Sequence, residues 1–532
     1  KMGYDSLIER VGSFGLFQKR LFVLFFLNGI PNGLLITSIV FLHFVPTHRC
    51  KLPFYERQYN QDNMSLLRHR RTDVVSGIFP RCRLINCWVT NYLENPSFNY
   101  SEGAIPEVDN VKCYNGYDYV SDTGIKSAMM EFDVVCENAW IKPLISSLFF
   151  VGIAIGTLSG SISDRFGRRP VFLAFTFIQF FSVFCTSFPP DITTYGVLFV
   201  LCGLSQTINF MCAFIIGAEF TTPDRRNFLS ISSFVSYSVG YLIGPFFSYF
   251  IPNWRWLMRL NGLIGILYIP YQLTLNLNNY FRLIPESPRW LLSNGKRKTA
   301  ITVLEQVAQM NNCAVNQQEE IETILVRFIF FVWVFITHIA HFLNNLKNFK
   351  CRMSIAIVYF GISLSVDTLS GDIFINCFLM GLIEIPGLIA AFMGVKYCSR
   401  SYAHSGFMFI SGFACLLAAL FKNVYPTVTL MFALIGKTAN AGVFYIVFVH
   451  TAEIVPTNVR HFYMCAGSFA GRVGSVIAPF FGYAGKFELF GVFAPYLILS
   501  GVVLTSALMT LLFLPNTHLK RLPESIADVL KM

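Results

Sequence analysis

Three ionisable residues stand inside long apolar runs and define the chemistry open to this chain. Arg472 lies in Ser468-Phe-Ala-Gly-Arg-Val-Gly-Ser-Val-Ile-Ala-Pro479, Glu384 precedes Pro386, and Lys437 follows Gly436. A charge at membrane depth is costly and marks a functional position by default. A guanidinium can clamp a carboxylate bidentately and repels a purely cationic solute. The bland alternative has Arg472 snorkelling or paired with a helix carbonyl. Glu384 either neutralises Lys437 or Arg472, or meets a substrate ammonium or a coupling proton. Lys437 reads as a charge partner in preference to a direct ligand.

Neutral amides form a second set: Asn32, between Pro31 and Gly33, with Gln206 and Asn209, all in apolar surroundings. Freed helix carbonyls and amide oxygens can hold Na+; the same amides can equally join helix to helix. A third set lies at span ends. Gly160-Ser-Ile-Ser-Asp-Arg-Phe-Gly-Arg-Arg-Pro170 supplies Asp164, Arg165 and Arg168, while Glu219 is followed by Arg226 and Glu453 by Arg460. These residues read as an ion-pair latch on one transport state, or more plainly as loops obeying the positive-inside rule. No His-Glu-x-x-His, Gly-x-Ser-x-Gly or complete P-loop occurs. His338 and His341 lack an accompanying acid or cysteine, so no metal centre is read there. The chain reads as a carrier with no cofactor, Na+ being a coupling ion.

Apolar spans must position these groups. Charged residues are 13% and the AVILMFWYC set 54%, with 56 Phe, about half the charge of a soluble protein. That excludes disorder, collagen and a small disulfide module. The net charge of +11 falls in short segments between apolar runs, which favours orientation in a membrane over nucleic-acid binding. A spanning helix needs about 20 apolar residues. Such runs near Leu21–Phe44, Leu144–Ile162, Val171–Phe188, Tyr195–Ile216, Leu229–Phe250 and Leu257–Leu277 make a first half. Runs near Ile329–Phe342 or Ser354–Ser365, then Ile373–Met393, Phe407–Leu420, Val428–Val449, Ser468–Phe481 and Pro495–Leu514 make a second.

The expectation is an all-α polytopic membrane protein of twelve transmembrane helices in two six-helix halves. Residues 1–284 form the first half, 285–327 a central cytosolic loop, 328–514 the second half and 515–532 a cytosolic tail. The glutamates Glu219 and Glu453 end corresponding spans, each with an arginine seven residues on, which reads as an internal repeat. The long first loop, 43–140, carries the sequons at Asn63 and Asn99 and the cysteines Cys50, Cys82, Cys87, Cys113 and Cys136. Glycosylation and disulfides there imply an extracellular loop, with pairing left open.

The chain resembles the organic ion transporter family of the major facilitator superfamily. The resemblance rests on Gly160 to Arg169, on Pro285-Glu-Ser-Pro-Arg-Trp-Leu291 and on Tyr445 through Arg460 with Thr451-Ala-Glu-Ile-Val-Pro-Thr457. Phe17-Gln18, Ile30-Pro-Asn-Gly33, His48-Arg-Cys-Lys51 and Gly381-Leu-Ile-Glu-Ile-Pro386 resemble its organic cation/carnitine branch. The resemblance implies a major facilitator-like fold and alternating access. It implies a plasma-membrane location with both termini inside, and a small organic cation or zwitterion such as carnitine as solute, with Na+ co-transport. Arginine at the place of Arg472 accompanies anions or carnitine in such relatives, and Asn32 matches a sodium position. Aromatic walls for a trimethylammonium fall on Tyr359, Phe360, Tyr445, Tyr241 and Phe246. The alternatives are a Na+-independent anion or cation facilitator or exchanger, or a non-transporting protein disabled at span seven. Gly217 to Arg225 lacks the P-loop-like segment of sodium-linked carriers, so no ATP binding is expected. Tyr271–Tyr280 and the stretch before Ile357 depart from the family pattern.

Overall fold

The structure, a computed structural model, describes residues 8–9, 11–12, 14–50, 117–120, 123–158, 160–268, 284–313, 346–422, 424–454, 460–484 and 493–514. Residues 271–280 and 328–345, with His338 and His341 among the latter, and Asn63, Asn99, Cys82, Cys87 and Cys113 lie outside them.

The principal helices are α1 (Leu16–Leu42), α2 (Ile141–Leu158), α3 (Arg168–Cys185), α4 (Ile192–Glu219), α5 (Pro223–Phe250) and α6 (Trp254–Leu263). In the second part they are α7 (Leu346–Leu364), α8 (Ile373–Tyr397), α9 (Arg400–Phe421), α10 (Pro426–Ile454), α11 (Arg460–Ala484) and α12 (Ala494–Phe513). Eight of them, α1 to α4, α8 to α10 and α12, are long and apolar enough to cross a membrane. The expected twelve is therefore met only in part by length and composition. Serines thin the hydropathy of α5, Lys347, Lys350 and Arg352 that of α7, and Arg460, His461 and Arg472 that of α11. The described part of α6 is ten residues.

Several helices begin earlier than the apolar runs suggest, because hydropathy does not mark a cap. The Asp191 carboxylate accepts from Thr194 N at 2.9 Å to start α4, and the Asn253 amide oxygen from Arg255 N at 2.9 Å to start α6.

Prolines inside α1 and α5 each deprive the carbonyl four residues back of its donor. Both carbonyls are satisfied from another helix or the turn beyond it. The Tyr268 hydroxyl donates to Leu27 O at 2.7 Å, opposite Pro31, and Thr37 Oγ1 donates to Tyr241 O at 3.1 Å, opposite Pro245. In α8 the regular helix is interrupted at Ile383, where Pro386 cannot donate to Leu382, and Glu384 opens the second segment. Helices α1 and α5 approach backbone to backbone through Gly33 and Gly240; a Cβ on either would collide with Tyr237 O or Ile30 O.

The chain divides into two compact units, Leu42–Lys142 being the smaller. That unit adds a β-ribbon to described residues that are otherwise mainly helical. Strand β1 (Thr47–Cys50) pairs antiparallel with β2 (Tyr117–Val120), Thr47 opposite Val120 and Cys50 opposite Tyr117. Tyr119 donates to Asp133 Oδ1 at 2.9 Å, Ser127 caps the turn of helix Ala128–Glu131, and Cys136 is disulfide-bonded. Burial, with the Lys142 ammonium nearby, pushes the His43 imidazole down to about 3.

Candidate functional site

The middle of the larger unit holds a buried ion pair. Lys437 Nζ of α10 lies 2.9 Å from Glu384 Oε1 of α8, and both residues are buried. Tyr359 of α7 donates to the same oxygen at 2.6 Å, and Ser238 of α5 donates to Oε2 at 2.7 Å. The ammonium also meets Ser363 Oγ and sits 3.2 Å from the Tyr359 ring centroid and 5.3 Å from that of Tyr241. Each carboxylate oxygen thus has a donor, and the ammonium lies on the aromatic faces where a soluble cation would otherwise bind. Of the open readings for Glu384, the structure has it paired with Lys437. Ser238 and Ser363 carry no sequence signal that sets them apart from other helix serines.

Arg472 contrasts with this pair. It is half-buried, and among the described residues no carboxylate lies within ion-pair distance of it. Tyr237, also half-buried, lies within electrostatic reach of both Arg472 and Glu384. Tyr237 was not distinguishable by sequence from the other tyrosines. Three expected aromatics gather near the pair: Tyr359, Tyr241, and Phe360, which packs on Tyr359 at 5.0 Å and on Phe150 at 4.6 Å. Two do not. Tyr445 lies further along α10, edge-on to Phe234 at 6.5 Å. Phe246 is 60% exposed and meets Phe250 edge-on at 4.8 Å, one turn on along the same helix. Phe246 is therefore not among the aromatics gathered round the Lys437–Glu384 pair.

The amides converge in a second buried group, in which Asn32 is joined by Asn28 and Gln179. Gln179 Nε2 donates to Asn32 Oδ1 at 2.9 Å, Asn209 Nδ2 to Gln179 Oε1 at 2.5 Å, and Asn28 Nδ2 to Asn209 Oδ1 at 3.1 Å. Gln206 Nε2 donates to Asn32 O at 3.2 Å. The side-chain oxygens of Asn32 and Asn209 are therefore occupied. The buried Asn28 Oδ1 and Gln206 Oε1 accept nothing among the described residues. The Leu27 carbonyl freed by Pro31 is taken by Tyr268, so it is not available to an ion. Asn28 could have been suspected from its place one helical turn before Asn32.

At the α3 and α4 end of the bundle, Arg168 holds Asp164 at 2.5 Å and Ser163 Oγ at 2.7 Å, with Glu219 3.7 Å away. The acid of Pro285-Glu-Ser-Pro has a physical role here. Glu286 accepts from the amides of Arg168 at 3.0 Å and Arg169 at 3.2 Å, capping α3 with a carboxylate at its positive end. Trp290 Nε1 donates to Asp164 O at 2.6 Å. In the second part, Arg400 Nε meets Glu453 Oε2 at 3.1 Å. By sequence Arg400 is one basic residue between two apolar runs, with nothing that marks Glu453 as its partner. Arg165 is exposed over the Phe166 ring, and the side chains of Arg226 and Arg460 lie outside the described residues.

A family model described as Major Facilitator Superfamily matches residues 137–479. Organic cation/carnitine transporter 2 of Homo sapiens is 30% identical, the match covering 99% of this chain and 94% of that one. Solute carrier family 22 member 4 of Mus musculus is 30% identical over 99% and 95%. Among solved structures, the xylose transporter XylE from E. coli in a partially occluded inward-open conformation aligns with a TM-score of 0.59, covering 95% of this chain and 100% of that one. At 15% identity this likeness is one of fold alone.

Proposed function

The chain belongs to the Major Facilitator Superfamily and, within it, to the organic cation/carnitine transporter branch, and from that premise we propose that it is a plasma-membrane secondary transporter of organic cations and zwitterions such as carnitine. Its twelve spans form two six-helix halves, 1–284 and 328–514, with both termini cytosolic and the loop 43–140 outside. It is a transport protein and not an enzyme.

The observation that carries the solute reading is the unequal state of the central charges. Lys437 neutralises Glu384 at 2.9 Å, while Arg472 has no acid beside it among the described residues. The centre is left with a net positive charge that suits a carboxylate. With Lys437 over the Tyr359 and Tyr241 faces, Phe360 is the proposed aromatic surface for a trimethylammonium, which has no N–H to donate. The contacts at Arg168 lie within the first half and the contact at Arg400 within the second, so as a latch they fix the end of each half while the halves rock.

Na+ is the proposed coupling ion. The oxygens open to it are Asn28 Oδ1 and Gln206 Oε1, with Asn32 and Asn209 holding the amides around them. Neutral oxygens suit Na+. A second reading, Na+-independent transport of organic anions, is favoured by Lys437 lying on the Tyr359 face that a cation would use. Uptake of labelled carnitine, tetraethylammonium and an aromatic carboxylate, each with Na+ and with a replacement cation, tests both. Carnitine uptake that persists unchanged without Na+ would remove the coupling; uptake of the carboxylate alone would favour the anion reading.

A further inference from the structure

One turn in from the end of the bundle marked by Arg400 and Glu453, four helices bury a set of sulfur and imidazole side chains. Cys351 of α7, His404 and Met408 of α9 and His450 of α10 are all buried. The Cys351 thiol lies 3.6 Å from His404 Nε2 and 3.9 Å from Met408 Sδ. Met408 follows His404 by one turn of α9, so the two side chains leave the same face of that helix. Across the ring, His404 Nδ1 stands 3.3 Å from His450 Nδ1. Thr510 of α12 closes the group, its hydroxyl 3.4 Å from the thiol and 3.7 Å from the thioether. None of these residues belongs to the central charges, to the amide group or to the ion pairs at the helix ends.

Their chemistry is that of metal ligands. A metal ion bonded to sulfur at about 2.3 Å and to an imidazole nitrogen at about 2.0 Å holds its donor atoms about 3.5–4.0 Å apart. Both separations from the Cys351 sulfur fall in that range. One of the two facing Nδ1 atoms must carry the hydrogen between them. With that hydrogen on His404, its Nε2 turns a free lone pair towards the thiol, and His450 holds the ring in place. A hydrogen bond at the far nitrogen is the usual support of a metal-binding imidazole. Among the described residues, no three of the His, Cys, Asp and Glu side chains form a metal-binding group; the third donor here is a thioether. Thiolate and thioether together select Cu(I). A thiolate also cancels the charge of a monovalent ion. A divalent ion would leave net positive charge buried within electrostatic reach of Arg352.

We propose that Cys351, His404 and Met408 form a Cu(I) site, with His450 as the residue that orients His404. On binding, a copper–sulfur bond replaces the S–H bond of Cys351, and the thiol proton passes to water at the nearby helix ends. His404 Nε2 and Met408 Sδ each give a lone pair, and the copper remains Cu(I). The bound ion joins α7 to α9. Cys351 lies five residues into α7, His404 four into α9 and Thr510 three from the end of α12. The site is thus about 4–8 Å of helical rise from that face of the bundle.

The test loads the purified full chain with Cu(I) under ascorbate and challenges it with bicinchoninate, a competing Cu(I) chelator. The wild type is expected to keep a single ion, to unfold at a higher temperature when loaded, and to show both sulfur and nitrogen donors in its copper X-ray absorption spectrum. Cys351→Ala and Met408→Leu should each weaken retention about tenfold or more and reduce the thermal shift. His450→Phe should weaken it by about 10–100-fold and keep the sulfur donors. Cys398→Ser, which removes an exposed thiol just before α9, should change nothing. Met408→Leu nearly conserves volume and carries the test if Cys351→Ala does not fold. A wild-type chain that yields all its copper to the chelator would overturn the site. So would retention unchanged in both ligand variants, or a spectrum with sulfur donors alone. No solute enters these measurements, so their outcome is independent of the transport reading.

Discussion

Gln206 and Asn440 make the same hydrogen bond in the two parts of the chain. Gln206 Nε2 of α4 donates to Asn32 O of α1 at 3.2 Å, and Asn440 Nδ2 of α10 donates to Ile355 O of α7 at 3.1 Å. Their numbers differ by the same interval as Glu219 and Glu453, so the repeat is carried by matched contacts as well as by spacing. The side-chain oxygens of both accept nothing among the described residues. Only Gln206 stands in a cluster of further amides.

That difference sets the first prediction. Gln206→Leu should raise the Na+ concentration giving half-maximal uptake severalfold, because it deletes a candidate ion ligand. Asn440→Leu should cost about 1 kcal/mol of stability and leave the Na+ curve in place. Uptake against Na+ concentration, with thermal unfolding of the purified variants, separates the two. Identical Na+ curves for both variants would remove Gln206 from the ion site.

Arg472→Ala should abolish carnitine uptake at low concentration, a loss of about 2–5 kcal/mol, and spare tetraethylammonium. The cation-to-carnitine uptake ratio should rise, which a general folding defect would not cause. Measuring both solutes on the same cells checks it; equal losses would make Arg472 structural.

Glu384→Gln leaves Lys437 buried at 0% exposure without its counter-charge. About 3–5 kcal/mol of stability should be lost. Glu384→Gln combined with Lys437→Met should recover most of it, since both charges then go. Surface expression and detergent thermostability of the three variants form the cycle. Additive losses in the double variant would show that the two residues are not energetically coupled.

Asp164→Asn weakens the hold on Arg168, and Glu286→Gln weakens the cap on α3. Both should lower maximal transport rate severalfold with little change in equilibrium solute affinity, because they alter the balance of states and leave the central residues untouched. Binding and turnover measured together decide this. Normal turnover at normal surface level would reduce the set to a plain charged turn.

His43 ties the smaller unit to pH. Its imidazole is held at about 3 by burial, against an ordinary value near 6.5. The folded unit binds fewer protons than the unfolded one, so His43 supports the fold above pH 6.5 and progressively less as pH falls towards 3. Proteolysis of the Leu42–Lys142 unit should accelerate through that window, and His43→Phe should flatten the dependence. A wild-type unit equally resistant at pH 7 and pH 4.5 would contradict it.

Composition and spacing alone determined that this chain is a membrane protein. They also marked the charged turn at Asp164 to Arg169, the matched glutamates and the arginine inside α11. These are properties of local sequence: the length of an apolar run fixes whether it can span, and a charge inside one is conspicuous wherever it points. Tertiary structure decided the partners. Glu384, Lys437, Tyr359 and Ser238 come from four helices, and Glu384 could have met Arg472 as readily on sequence grounds. Asn32 is held by Gln179 and Gln206, so the vacant oxygens passed to Asn28 and Gln206. Phe246 and Tyr241 sit five residues apart on α5, yet one is largely exposed and the other lies buried under Lys437. Which side of a helix faces the interior depends on how its neighbours pack, and an apolar face towards lipid reads the same in sequence as an apolar face towards protein.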